Sequence, residues 1–161
     1  IRQIPGVWDR LQFQVMGRRM TLNEIEHETL RKKFQEPRVH MALVCASAGC
    51  PVLRGEAYTG SKLEKQLEEQ TRTFLESPEK FRIDRDAKRV YLSQIFKWFG
   101  EDFVKIYSPD RGFEGRPAAE RAVLNFIGHS RYAKEGDFLR GGTYAVKYLD
   151  YDWSLNERTA R

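Results

Sequence analysis

Leu11, Phe13 and Val15 alternate with Gln12 and Gln14, the period-two pattern of a half-buried strand, and Met16-Gly17-Arg18-Arg19 turns the chain behind them. Residues 11–19 therefore read as a hairpin. At Thr21 the period becomes helical: Thr21 with Glu24 three positions on is a capping box, and Leu22, Ile25, Thr29, Leu30 and Phe34 hold one face until Pro37 stops the helix. Residues 38–44 form a short apolar run that reads as a strand, entered through His40 and delivered into a tight loop of Ser47, Gly49 and Pro51. After an irregular stretch at 54–59, Thr59 or Ser61 caps a second helix that runs to about Glu76 on the face of Leu63, Leu67, Gln70 and Phe74. Residues 81–84 and 89–92 flank the polar turn 85–88 as a second hairpin. Ser93 then caps a third helix whose stripe of Ile95, Phe96, Phe99, Phe103 and Ile106 is core. A fourth begins at Pro117, carries Val123, Leu124 and Ile127, and ends at Gly128. The aromatic run 144–153 closes the order as a strand. Helices interspersed with hairpins predict an α+β fold, with a mainly antiparallel sheet packed against about four helices.

At 161 residues the whole chain, 1–161, fits one domain with a proper core. No apolar run approaches the roughly 18 residues of a membrane span, so none is expected in this chain. The net charge of +5 is interleaved with acidic residues, and Arg31-Lys32-Lys33 reads as a solvated helix end where cations favour the dipole. No nucleic-acid partner is expected from it. The first residue, Ile1, is not an initiator methionine, which reads as a processed or trimmed product.

Both cysteines of the chain, Cys45 and Cys50, sit in the loop behind His40. Imidazole and thiol do acid–base, nucleophilic and metal-ligand work near neutral pH, which makes this the candidate site. In a strand, His40 shares a face with Ala42 and Val44, while Cys45 points with Met41 and Leu43. His40 and Cys45 therefore pair only if the chain bends between them, and the partner of His40 is expected from another segment. Cys45 and Cys50, with four residues between them across a turn, are placed for a disulfide, which an exported or periplasmic parent would favour. Two structural, buried thiols are the competing reading. His27, His40, Cys45 and Cys50 suffice for zinc on count, yet their spacing matches none of the strong zinc patterns, so no metal and no cofactor is expected. His27 lies off the apolar stripe as a boundary residue, and His129 as a surface one.

Several segments together resemble the bacterial and plant family of domains of unknown function numbered 547: residues 4–9, 21–28, 39–51 with Leu53 and Arg54, 95–99 and 151–156. That family in turn resembles, more distantly, papain and transglutaminase-like hydrolases and transferases. The resemblance implies the histidine role for His40 and the orienting role for Asp152 or Asn156. It also implies an upstream helix with a Trp-Ile-Asn-x-Tyr-Asn motif, so a preceding or separate N-terminal segment is an expected partner.

Two functional readings follow. In the first the domain is a thiol-dependent hydrolase or transferase acting on an amide or thioester, with Cys45 as nucleophile, His40 as base and Asp152 orienting the imidazole. Backbone N–H groups of the 47–50 turn would hold an oxyanion, and Arg54, Tyr58 and Asn156 the substrate. In the second it is a non-catalytic module that binds a peptide or small anion, its cysteines structural.

Overall fold

The computed structural model describes residues 4–130 and 135–156. Strands β1 (Phe13–Val15) and β2 (Arg18–Met20) form the first hairpin, in antiparallel register Phe13↔Met20. Its two-residue turn holds Met16 and Gly17 at φ 51° and 75°, the two positive angles of a type I′ turn that match strand twist.

The capping box closes as the spacing predicts: the Thr21 amide donates to Glu24 Oε2 at 2.8 Å and the Glu24 amide to Thr21 Oγ1 at 3.2 Å. The helix behind it, Glu24–Phe34, is a π-helix with i→i+5 bonds, and Gln35 ends it at φ 51°. Because each π turn takes up more residues, positions spaced for an α-helix no longer share one face. None of its side chains is fully buried, and Phe34 lies 67% exposed.

The apolar run after Pro37 is not a strand. Pro37–Met41 is a 3-10 helix with Pro37 in its first turn, and the Glu36 side chain accepts from the Arg38 amide. Proline presets the helical φ there and its missing N–H costs nothing. The buried residues are Pro37, His40 and Met41, at i, i+3 and i+4, a spacing that suits a helical turn laid on the core and not a pleated strand. The turn packs on α1 (Leu63–Glu76), whose buried side is Gln66, Leu67, Gln70, Thr71 and Phe74.

The second hairpin forms at the predicted residues, β3 (Phe81–Asp84) against β4 (Arg89–Leu92), antiparallel. The expected third helix is two: α2 (Gln94–Trp98), capped by Ser93 Oγ on the Ile95 amide, and α3 (Glu101–Tyr107). Between them Gly100 lies so close to its surroundings that a Cβ would meet Phe96 O at 2.7 Å and Ala119 Cβ at 3.1 Å. The bend turns Ile106 outwards, to 51% exposure. Helix α4 (Ala118–His129) follows Pro117, and a further short helix, α5 (Gly136–Gly141), precedes β5 (Ala145–Tyr148). β5 pairs with β4 in parallel, so the three-stranded sheet is mixed, in order β3-β4-β5. The result is an α+β fold. Its core gathers Met41, Phe74, Val90, Leu92, Phe96, Phe103, Leu124, Phe126, Ile127 and Leu139 between sheet and helices.

Candidate functional site: a clamped loop with two thiols

Met41 is fully buried, and the backbone that leaves it carries Cys45 into a loop whose conformation the end of the chain imposes. The amides of Ala48 and Gly49 donate to the carbonyls of Ser154 and Asp152, at 2.9 and 2.8 Å, and the Asn156 amide donates back to Ala46 O at 2.8 Å. Ala46 takes φ 65° to meet this pairing. The Cys50 amide closes the turn on Ser47 O at 3.0 Å. From the sheet side, the buried Lys80 ammonium donates to Ala48 O and Gly49 O, at 3.2 and 2.8 Å. Gly49 fits because it has no side chain: a Cβ would lie 2.8 Å from the Tyr151 ring and 2.9 Å from Asp152 O.

This clamp brings four polar side groups together. Ser47 Oγ lies 3.1 Å from Cys45 Sγ, 3.3 Å from Cys50 Sγ and 3.0 Å from the Tyr151 hydroxyl. Tyr151 donates to Cys50 Sγ at 3.4 Å and lies 3.6 Å from Cys45 Sγ. The Cys45 amide donates to Cys50 Sγ at 2.9 Å. Both cysteines are free thiols, Cys50 buried and Cys45 half-buried. Hydrogen bonding with Cys45 above all, then with Ser47 and Tyr151, pulls the Cys50 thiol down to about 4 against the cost of burial. The same contact with Cys50, with burial, pushes Cys45 up to about 12. The two thiols thus shift in opposite directions, and Cys50 is the one whose thiolate is favoured. Burial raises the Tyr151 phenol well above its usual range, so it remains a donor.

His40 belongs to a different cluster. Its ring stacks on Phe99 with centroids 4.2 Å apart, and Nε2 lies 2.8 Å from Asp102 Oδ2 on α3. Arg31 grips the same carboxylate bidentately, at 2.6 and 2.9 Å, and its Nη1 donates to His27 Nδ1 at 2.9 Å. The partner of His40 comes from another segment, and it is Asp102 and not Asp152; the strand whose alternation separated His40 from Cys45 is replaced by the 3-10 turn. Burial lowers the His40 pKa against the pull of Asp102. Burial would raise Asp102, yet bonds from Arg31 and His40 outweigh it and hold the carboxyl below its usual range. Asp102→Ala strips two cationic or potentially cationic groups of their acceptor, and His40 has a side chain only 2% exposed. A loss of about 2–4 kcal/mol is expected in urea unfolding, discounted for the 26% exposure of the carboxylate itself.

The remaining sequence-derived residues lie elsewhere. The Asp152 carboxylate accepts from the Ser154 amide at 2.8 Å, and among the described residues no hydrogen bond joins it or His40 to either sulfur. Asn156 is exposed and contributes its backbone amide. Arg54 is already held by Glu56 and Glu69, at 2.7 and 2.6 Å, and lies over the Tyr58 ring. The Tyr58 hydroxyl is buried without a hydrogen-bond partner. Of the 47–50 amides read from sequence as an oxyanion cradle, those of Ala48 and Gly49 are spent on the clamp and that of Cys50 on closing the turn. Sequence reasoning missed Ser47, Tyr151 and Asp102. Only Asp102 left a trace, as a carboxylate beside Phe103 on an otherwise apolar stripe. Beside the thiols, Tyr151 packs against Trp98 and Trp153, with ring centroids 4.8 and 4.4 Å away.

Fold and site together define an α+β domain with a dithiol loop clamped by its own chain end. Residues 3–75, which contain that loop, match the model of the family described as Protein of unknown function, DUF547. The matching pieces at 95–99 and 151–156 lie outside that span. No curated protein and no solved structure matches the chain. Among the described residues no helix is long and apolar enough to cross a membrane, and no group of three or more His, Cys, Asp or Glu side chains is arranged to hold a metal ion.

Proposed function

We propose that the domain is a thiol-dependent transferase or hydrolase in which Cys50, in place of Cys45, is the attacking sulfur and a thioester is the substrate class. The observation that supports it is the convergence of the Cys45 amide and the Tyr151 and Ser47 hydroxyls on Cys50 Sγ, which favours the nucleophilic thiolate over the thiol. In the reaction the Cys50 sulfur forms a bond to the acyl carbon, and the carbon–sulfur bond of the thioester breaks. A thiolate leaves, and the acyl group passes from Cys50 to water or an acceptor.

A thioester suits this geometry better than an amide. A departing amine must be protonated as it leaves, the task an imidazole performs in papain-like sites, whereas a thiolate departs without help. Here His40 is turned to Asp102, and the amides of Ala48, Gly49 and Cys50 are committed. The low basicity of Cys50 also makes it a good leaving group for onward transfer.

The test is acylation by S-acetyl-N-acetylcysteamine at neutral pH, located by mass spectrometry. Acetyl is expected on Cys50 in the wild type and in C45S, with the rate lowered at least about a hundredfold in C50S. Acetylation of neither sulfur would leave the non-catalytic module, which the burial of Cys50, 6% exposed, favours.

A further inference from the structure

The thiol that the acyl reaction does not use is placed for a second chemistry. Cys45 shares both of its side-chain partners, Ser47 and Tyr151, with Cys50. The Cys45 amide already touches the Cys50 sulfur. An amide and a sulfur of one residue are separated only by its own Cα and Cβ, so the Cys45 side chain starts from a backbone atom already in contact with the Cys50 sulfur. The hydroxyls that would lose an acceptor still have each other, 3.0 Å apart.

We propose that the Cys45–Cys50 loop is a thiol–disulfide exchange site for small-molecule or protein disulfides, with Cys50 as attacking and Cys45 as resolving thiol. The proposal rests on the reading of Cys50 as the nucleophilic sulfur, and adds an oxidised state in which that nucleophile is masked. In the first step Cys50 attacks one sulfur of the disulfide: the bond between the substrate sulfurs breaks, a mixed disulfide forms on Cys50, and one thiolate leaves. Cys45 then gives its proton to a departing thiolate and attacks the Cys50 sulfur. The mixed disulfide breaks, the second thiolate leaves, and Cys45 is bonded to Cys50. Two electrons pass from the dithiol to the substrate disulfide, which ends as two thiols. This exchange needs a thiolate and a second thiol within reach, and no general base or oxyanion cradle.

The experiment treats the reduced chain with oxidised glutathione at neutral pH, quenches with acid and follows the products by mass spectrometry. The wild type is expected to pass through a glutathionylated Cys50 to an intrachain Cys45–Cys50 disulfide. C45S is expected to stop at the mixed disulfide on Cys50, because no resolving thiol is left to release it. Cys45→Ala serves as a second resolving-thiol variant, and circular dichroism verifies that each variant is folded. A wild type that itself halts at glutathionylated Cys50 overturns the exchange proposal and leaves the nucleophile reading standing. Glutathionylation of Cys45 in C50S as fast as that of Cys50 in C45S overturns the assignment of roles. No reaction of either sulfur overturns both proposals.

Discussion

Alkylation of Cys50 by iodoacetamide is expected to hold within about twofold between pH 7 and pH 5, while an ordinary thiol with a pKa near 8.5 slows about a hundredfold over the same interval. The difference is the thiolate fraction. A Cys50 thiol held at about 4 is still mostly ionised at pH 5, whereas Cys45, pushed up to about 12, is protonated throughout. The measurement is the rate of label incorporation at each sulfur, mapped by mass spectrometry on reduced protein. A hundredfold fall at Cys50 would make it an ordinary thiol and remove the nucleophile. Stability follows with opposite signs at the two sulfurs. The part due to Cys50 is complete above the unfolded thiol's value near 8.5 and fades as pH falls toward 4. The part due to Cys45 is complete below that unfolded value and fades as pH rises toward 12.

Phe103→Ala is expected to cost about 3–5 kcal/mol, a large share of what a domain of this size has to lose. The ring is fully buried, with Phe126, Phe96, Tyr107 and His40 around it at centroid distances of 5.0, 5.7, 6.2 and 6.3 Å. Truncation leaves a cavity that these rigid rings fill poorly, and it lies next in sequence to Asp102, the acceptor for His40 and Arg31. Urea unfolding monitored by circular dichroism gives the number, with Phe103→Leu expected to lose under half as much because most of the volume remains. A cost below about 1 kcal/mol for the alanine variant would place the ring outside the core.

Local signals did well where one residue and its near neighbours decide the outcome. The Thr21–Glu24 box, the Ser93 cap, the hairpin of 81–92 and the α4 helix stand where the periodicity puts them. The run after Pro37 misled because an apolar stretch with no strict alternation suits a strand or a buried helical turn equally well, and its neighbour α1 selects the turn. The Gly100 break is invisible to a helical stripe, since the crowding of that position by Phe96 O and by Ala119 on the next helix appears only in the packed fold.

The same division holds for the site. Sequence alone determined that both thiols occupy one Gly/Pro loop and that the fold mixes helices with hairpins, because each depends on residue type and short-range spacing. Tertiary structure decided which partner His40 takes, that Tyr151 and Ser47 meet both sulfurs, and that the amides of Ala48, Gly49 and Cys50 are spent. The contacts of His40 with Asp102 and of Tyr151 with Cys45 join positions 62 and 106 residues apart, and no pattern along the chain encodes which distant donor arrives at a given atom.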